Sequence, residues 1–412
     1  MKNFSLKKFT PTIIACSSLL ICLILNLVLP AQHDILDFKS WGDTFVEYGP
    51  FGFYSHAEGQ PTDYPPVYLY FCGLMSLLCS IFNANAMWQK FFFRLPSALI
   101  LFASVFVFYK LLKHFVKSEK TVLILTILYA LAPASVFNVI WGQCDCFTLF
   151  YILLACLMFV NKQYFWTLFV CIIALLTKTQ FLFILPVFGF AVLWRSIKGK
   201  RLPSFFRDVA ICVLIYLAVF FPFLLEKMLQ GRVFYLFEIL IEQVGHYQYY
   251  TVNAFNLYMC FATQDLKYPD WFTGVNFTIL IAIVVFVCFA IAKNDSDENV
   301  VFLSAFILTA IFMLSTNMHE RYMLGALGTT IIGSYALKRR LLVIANWIFY
   351  AIQFINAYFA WFIFRSLRCD IIFIPIVLSI LSVIALVFMI IEIVRICFLS
   401  KKNNFEENNA EV

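Results

Sequence analysis

The chain has 412 residues, of which 63% are hydrophobic and only 13% are charged, with a formal net charge of +7. Soluble domains carry about a quarter charged residues and about half apolar ones, so this composition excludes an ordinary soluble protein and indicates a polytopic membrane protein. The Lys and Arg residues cluster beside apolar runs, as the positive-inside rule requires, so the excess charge does not indicate a nucleic-acid partner.

Apolar runs dominate the chain. A spanning helix needs about twenty apolar residues, and thirteen runs approach or reach that length. They lie near 12–32, 66–84, 92–114, 121–140, 146–161, 163–177, 180–194, 209–226, 273–293, 299–315, 323–336, 341–363 and 371–397. The sequence therefore predicts an all-α fold: a polytopic transmembrane helical bundle of about 12–14 spans, forming one integral-membrane domain over residues 1–400. Several central runs are short, which suggests a cavity cut into one leaflet.

Basic segments predict the orientation of the bundle. Residues 2–8, 195–207, 338–340 and 401–402 carry Lys and Arg and are expected on the cytoplasmic side, with the first run retained as a helix. Alternation of the later runs then puts 227–272 outside and 294–298 inside. Seven runs precede the basic segment 195–207, but an odd number of crossings cannot join two segments on the same side of the membrane. One run is therefore surplus and does not cross, and we expect it between residues 85 and 180. The polar tail 401–412 is predicted to be a disordered cytoplasmic segment.

Two predicted outside loops are too long to be simple connectors. The first extracytoplasmic loop, 34–66, is rich in acidic and aromatic residues, a pattern typical of short interfacial helices. The second extracytoplasmic loop, 227–272, combines apolar residues at helical spacing with a Tyr-rich stretch, and it predicts an amphipathic helix followed by the rim of a pocket.

Most cysteines lie inside apolar runs, where a thiol behaves as a small hydrophobe, so they do not form a disulfide framework. Cys144 and Cys146 flank Asp145, but no second Cys or His pair follows at zinc-site spacing. We therefore predict no metal site there.

Ionisable residues near membrane depth are the candidates for function. Lys178 stands between two apolar runs, where a charge is costly unless it faces a polar cavity; a lysine snorkelling from a helix end is the alternative. Gln180, two residues on, can share a site with Lys178 only if the segment is extended or a turn.

His319 and Arg321 form a second group of candidate cations, with Glu320 between them limiting the net charge. An ion pair at a helix end is the alternative interpretation. An acidic loop above a basic pocket at membrane level suggests a reaction between an anionic lipid and a neutral polar acceptor, because a carboxylate can deprotonate a hydroxyl while cations stabilise a phosphate leaving group.

Several motifs carry a family resemblance. They are an Asp at position 34 with Trp41 seven residues on, DYPP at 63–66, WGQ-x-D at 141–145, K-x-Q at 178–180, NA-aromatic-N at 253–256 and HER at 319–321. In this order they resemble the GT-C superfamily of polyprenyl-phosphate-sugar-dependent glycosyltransferases. Within it, the chain is similar to the bacterial and archaeal relatives of GPI mannosyltransferase II and of the ER N-glycan glucosyltransferases. Cys146 departs from the small hydroxyl residue common in relatives, and nothing beyond about residue 340 is diagnostic.

The resemblance implies roles for individual residues. Asp34 fits the general base best, with Asp37 as its rival, and Asp63 is structural or positions the acceptor. Lys178, His319 and Arg321 would hold the lipid phosphate. The remaining implied substrate-binding residues are Trp141, Gln143, Asp145, Gln180, Asn253, Asn256 and Glu320, of which Gln143 and Asp145 would line the sugar or acceptor pocket.

The implied activity is that of an inverting glycosyltransferase. It would move a hexose, with mannose favoured, from a polyprenyl-phosphate sugar to a hydroxyl of a glycan, lipid or protein acceptor, on the extracytoplasmic side of a bacterial or archaeal plasma membrane. No cofactor is expected, although Asp34, Asp37 and His33 leave a divalent metal open. Two alternatives remain: a transporter or lipid flippase, which usually shows paired halves not seen in this sequence, and a cell-surface polysaccharide polymerase or ligase.

Overall fold

The computed structural model describes residues 10–30, 34–57, 64–239, 248–262, 266–363 and 373–399. Over these residues the α-helices are α1 (Thr10–Val28), α2 (Asp34–His56), α3 (Pro66–Ile81), α4 (Ala86–Phe115), α5 (Glu119–Ala130), α6 (Pro133–Trp141), α7 (Asp145–Val160), α8 (Tyr164–Leu175), α9 (Leu185–Lys198), α10 (Leu202–Leu229), α11 (Phe272–Lys293), α12 (Asp297–Leu314), α13 (Leu327–Leu337), α14 (Arg340–Tyr358) and α15 (Phe373–Val394). Three short 3-10 helices lie at Thr179–Phe183, Leu257–Cys260 and Leu324–Ala326.

Helices account for every predicted apolar run. In the described part of the chain, eight helical segments are long and apolar enough to cross a membrane, and four shorter apolar helices accompany them. The run at 121–140 is broken into α5 and α6 because Pro133, which has no N–H to donate, begins a new helix. The prediction of an all-α, polytopic helical bundle is confirmed.

Burial separates the centre of the bundle from its periphery. Nearly every residue of α12 is buried, so this helix lies at the centre. By contrast, α11 exposes Ile281, Val285 and Phe289 at 63%, 60% and 54% of their surface. A continuous apolar surface of this kind is unfavourable in water and is stabilised by lipid, so the outer helices are suited to a membrane.

Ion pairs mark one end of the bundle. Arg195 at the end of α9 lies 2.7 Å from Asp297 at the start of α12, and Lys198 lies 3.0 Å from Asp295. The sequence predicted that 195–207 and 294–298 share one side of the membrane, and the contacts agree. The predicted functional residues lie at the opposite end, which we call the site end; it contains the start of α7 and the segment that follows α12.

Arg94 shows that α4 begins at the site end. Its side chain is 2% exposed, and its Nη2 donates to the carbonyl of Asn26 in α1 at 2.7 Å. Its Nη1 donates to the carbonyls of Leu29 and Ile140, at 3.2 and 3.3 Å. One guanidinium therefore joins the second to third turn of α4 to the ends of α1 and α6.

The placement of α3 shows which apolar run does not cross the membrane. Its second residue, Val67, donates its backbone N–H to Leu176 at the site end, and only residues 82–85 separate α3 from α4, which also starts there. Both ends of α3 thus lie at the same end of the bundle, so this helix does not cross it. The expectation of a surplus run between residues 85 and 180 is therefore wrong, because the non-crossing run is Pro66–Ile81.

The first predicted loop contains helices, as expected. Within α2, Gly49 has φ 65° and ψ −176°, which divides the helix into two pieces, and Pro50 follows. Ser76 of α3 donates to Asp43 of α2 at 2.7 Å, so the two helices pack as one unit beside the site end.

Some predictions fall outside the described residues. These are the placement of Asp63 and His33 and the disordered tail 401–412. In the second predicted loop, α10 continues to Leu229, residues 235–239 are helical, and the rest of the predicted amphipathic helix, 240–247, is outside the described part.

Replacing Arg94 by alanine is expected to lower the free energy of unfolding by about 2–4 kcal/mol, because buried carbonyls of α1 and α6 lose their donor. Thermal unfolding of the purified protein in detergent measures this change. The control is Arg207→Ala, whose side chain is 66% exposed and should change stability by only about 0.5 kcal/mol. Equal shifts in both variants would contradict the proposed role of Arg94.

Candidate functional site

Four chain segments meet at the site end. They are the start of α2, the turn between α6 and α7, the connection between α8 and α9, and the segment after α12. Each carries one of the motifs found in the sequence, so residues that are up to 287 positions apart in the chain are brought into one cluster.

The turn between α6 and α7 depends on Gly142. This residue has φ +89°, a left-handed conformation that favours glycine, and it ends α6. A Cβ atom at this position would lie 2.7 Å from the side chain of Ile35, so the start of α2 packs directly on the turn. The glycine therefore brings Trp141, Asp145 and the start of α2 together.

Asp145 is the centre of the cluster. It is 1% exposed and forms an ion pair with Lys178, and its Oδ2 lies 3.5 Å from Nε of Arg321. Asn138 donates its side-chain N–H to the same Oδ2 at 3.1 Å. A buried carboxylate needs such partners, because an unpaired charge at this depth would be strongly destabilising.

Lys178 is placed by an irregular connection. Its backbone is extended, with φ −151° and ψ 125°, and Gln180 follows in a 3-10 turn, which confirms the predicted departure from regular helix. Gln180 donates to the carbonyl of Tyr322 at 2.9 Å, and Nζ of Lys178 lies 5.2 Å from the ring centroid of Tyr322. The snorkelling alternative is wrong, because the lysine is 7% exposed and paired with Asp145.

The charge of Lys178 is maintained by its partner. Burial lowers the pKa of the ammonium group, but the attraction of Asp145, with smaller contributions from Cys144 and Tyr322, outweighs burial, and the pKa lies above its ordinary value. Lys178 is therefore positively charged at neutral pH.

The segment after α12 presents Arg321 to the cluster. Nη1 of Arg321 donates to Glu320 at 2.9 Å, and its guanidinium carbon lies 5.8 Å from the ring centroid of Trp141. Burial opposes the charge of Arg321, but Glu320, Asp145 and Asp34 outweigh it and raise the pKa. The side chain is 16% exposed, so it remains reachable by a ligand.

His319 differs from the expectation of a second cation in this segment. Burial, and then the positive charges of Arg321 and Lys178, hold the pKa of His319 well below its ordinary value, so the ring is neutral at pH 7. Burial raises the pKa of neighbouring Glu320, although Arg321 works against this shift. The second cation beside Arg321 is therefore Lys178.

Asp34 is the acidic residue of the first loop that contacts the WGQ motif. The side-chain N–H of Gln143 donates to Oδ2 of Asp34, and Ser97 fixes the backbone of Gln143 by donating to its carbonyl at 2.7 Å. Asp37, the rival base, lies one turn further into α2. The contact with Gln143 and the charge of Arg321 connect Asp34 to the buried cluster.

The two predicted asparagines hold the backbone around the site. Asn256 begins a 3-10 turn by accepting from Tyr258 and Met259, and its N–H donates to Ser315 at 3.4 Å. Asn253 has φ 65°, its carbonyl accepts from Asn356 at 2.6 Å, and its backbone bridges to His319. Both therefore support the segment that carries His319 and Arg321.

The sequence analysis missed several residues of the cluster. Asn138 orients Asp145, and the thiol of Cys146 donates to Oδ1 of Asn138 at 3.4 Å, a role that a small hydroxyl residue could also fill. Gln353 of α14 lines a small cavity beside Arg321. The signal available in the sequence was weak, because Asn138 is a single amide within an apolar run and Gln353 is one of three amides in α14.

Several buried polar atoms of this cluster have no hydrogen-bond partner. They are Nε1 of Trp141, Oε1 of Gln143, Oε1 of Gln180 and Oε1 of Gln353. Because buried polar groups are usually satisfied in native proteins, these atoms favour a site that binds a polar ligand. Among the described residues, no group of three His, Cys, Asp or Glu residues could hold a metal ion.

No protein-family model matches the chain, and no curated protein matches it. The family resemblance drawn from the motifs therefore stays a hypothesis about this chain, and the geometry of the site has to carry the functional conclusion.

The stability of the protein should fall as the pH is lowered from 7.5 to 5.5. Unfolded His319 takes up a proton near pH 6.5, whereas the folded ring has a lower pKa and stays neutral, so the unfolded state binds more protons in this window. The loss approaches about 1.4 kcal/mol per pH unit below pH 6.5.

Thermal unfolding midpoints across this pH range, compared between wild type and His319→Gln, isolate the effect. Glu320 acts with the opposite sign, because its raised pKa favours the folded state as the pH falls, but it is present in both proteins. The control is His114→Gln, which replaces an exposed histidine. The assignment fails if His319→Gln keeps the full loss of stability at low pH.

Proposed function

We propose that the protein is an inverting glycosyltransferase that moves a hexose from a polyprenyl-phosphate sugar to a hydroxyl group of an acceptor. The observation that supports this most is a single cluster at the site end that contains Asp34, hydrogen-bonded to Gln143, together with Arg321 and Lys178, which both pair with Asp145. A carboxylate beside two fixed cations is what a displacement of a phosphate by a hydroxyl needs: a base for the nucleophile and positive charge for the leaving group.

In the proposed reaction, Asp34 accepts the proton of the acceptor hydroxyl. The hydroxyl oxygen then forms a bond to the anomeric carbon while the bond from that carbon to the phosphate oxygen breaks. The electron pair leaves with the polyprenyl phosphate, and attack from the opposite face inverts the configuration. Gln143 holds the carboxylate of Asp34 in position by its hydrogen bond.

Arg321 and Lys178 retain donors for a phosphate. A guanidinium offers five N–H groups and an ammonium three, and the contacts with Asp145 and Glu320 occupy only part of them. The carboxylates thus hold the two cations in place before the donor arrives, which reduces the reorganisation that binding requires. An arriving phosphate would also raise the pKa of His319, because its negative charge offsets the two neighbouring cations.

The identity of the substrates rests on the resemblance. It favours mannose as the sugar, a glycan, lipid or protein as the acceptor, and the extracytoplasmic face of a bacterial or archaeal plasma membrane as the location. The apolar helices of the bundle are consistent with a donor that reaches the site from within the membrane.

Replacing Asp34 by asparagine is expected to lower the rate of sugar transfer by about 10²–10⁴-fold, because the amide cannot accept the proton. The measurement is transfer of radiolabelled sugar from polyprenyl-phosphate-mannose and polyprenyl-phosphate-glucose to a membrane extract. Asp37→Asn, one helical turn away, is the matched control and should keep activity. The reverse pattern would assign the base to Asp37, and transfer of neither sugar by wild type would count against a glycosyltransferase.

Replacing Arg321 by alanine should lower transfer by about 10²–10³-fold, because the leaving phosphate loses its main charge partner. The control is Arg195→Ala, which removes a partly buried arginine from the opposite end of the bundle. With activity expressed per amount of folded protein, similar losses in both variants would contradict a specific role of Arg321 at the phosphate.

Adding EDTA should leave the transfer rate unchanged, because a phosphate monoester leaving group already carries its charge on several oxygens and two protein cations face it. Activity lost on chelation and restored by magnesium or manganese would contradict this expectation.

A further inference from the structure

A small cavity lies between α6 and α14, beside the cation that faces the proposed phosphate. Its volume is about 10 Å³, room for about one water-sized group. Its lining includes Trp141 and Asn138 of α6, Gln353 of α14, and Arg321.

Two residues of this lining carry unsatisfied polar atoms of opposite kind. Nε1 of Trp141 is a donor and Oε1 of Gln353 is an acceptor, and neither has a hydrogen-bond partner although both atoms are buried. The residues are 5% and 6% exposed. A buried donor and a buried acceptor beside one cavity call for a ligand group that can both accept and donate.

We propose that this cavity binds one hydroxyl group of the transferred hexose, with Trp141 donating to the hydroxyl oxygen and Gln353 accepting its proton. A hydroxyl can satisfy both atoms, and the cavity admits little more. The proposal rests on the glycosyltransferase function, and it makes Gln353 a residue that selects the sugar.

The surroundings of the cavity favour the donor sugar over the acceptor. Arg321 belongs to the same lining and is also the proposed partner of the phosphate, so a hydroxyl in the cavity lies close to that phosphate. The donor sugar is bonded directly to that phosphate, whereas the acceptor is not, and of the two groups bonded to the phosphate only the sugar carries hydroxyls.

The buried polar groups of the cavity predict selectivity among donor sugars. A site that hydrogen-bonds one hydroxyl rejects a substrate in which that hydroxyl is missing, because its own buried groups are then left unpaired. We therefore expect Gln353 to recognise a single position of the hexose, and a deoxy sugar at that position to be a poor donor.

The test compares wild type with Gln353→Leu, which keeps a similar volume and removes the acceptor. The value of kcat/KM is measured with the preferred polyprenyl-phosphate hexose and with its deoxy analogues, one for each ring hydroxyl. We expect Gln353→Leu to lower kcat/KM about 10–100-fold for the full sugar. With one deoxy analogue, the two proteins should have nearly the same kcat/KM, because the hydroxyl that Gln353 binds is already absent.

The control is Asn346→Leu, which removes another buried amide from α14 that is not part of the cavity lining. It should change kcat/KM by the same factor for every donor, if at all. An equal loss for all analogues in Gln353→Leu would overturn the proposal and indicate that the cavity holds only a structural water. Absence of transfer by wild type would overturn both the proposed function and this inference, whereas transfer without a selective loss overturns the inference alone.

Discussion

The carboxylate of Asp145 is the interaction on which the site depends. It is buried at the first position of α7 and is shared by Lys178 from one connection and Arg321 from another. Removing the carboxylate would leave two positive charges at close range in a region of low dielectric constant. The fold is arranged around this constraint, because the turn that carries Asp145 is fixed by Gly142 and by the amide of Asn138.

The same constraint explains the states of the neighbouring groups. Burial, together with the two cations held close by, keeps His319 neutral, and Asp34 faces the positive charge of Arg321. In the proposed reaction, Asp34 would act as the base while Asp145 holds the two cations, so the two carboxylates would have different roles.

Much of the fold could be predicted from the sequence. In lipid the backbone N–H and C=O groups have no water to bond with, so long apolar runs form helices, in which these groups bond to each other. The location of the non-crossing run could not, since α3 is as apolar as its neighbours, and only its packing on α2 and the position of Arg94 separate it from the spans. The extended backbone at Lys178 could be predicted as the condition for Lys178 and Gln180 to share one site. In a helix, side chains two residues apart point to different faces.

The site could be predicted in part for a similar reason. Charged residues in apolar runs are rare and costly, so Lys178 and Arg321 were visible as candidates, whereas Asp145 was indicated only by the WGQ-x-D motif. The neutral state of His319 was not visible, because it depends on how deeply the ring is buried and on which cations surround it in space. Gln353 was also invisible, since it is one of three amides in α14 and the sequence does not show which of them lines a cavity.

The most direct measurement is a cryo-EM structure of the protein with bound polyprenyl phosphate. We expect phosphate oxygens at about 3 Å from the guanidinium of Arg321 and from Nζ of Lys178, with Asp34 facing the open side of the phosphate. Phosphate density at the opposite end of the bundle, beside Arg195 and Lys198, with Arg321 still bound only to Glu320 and Asp145, would contradict the account.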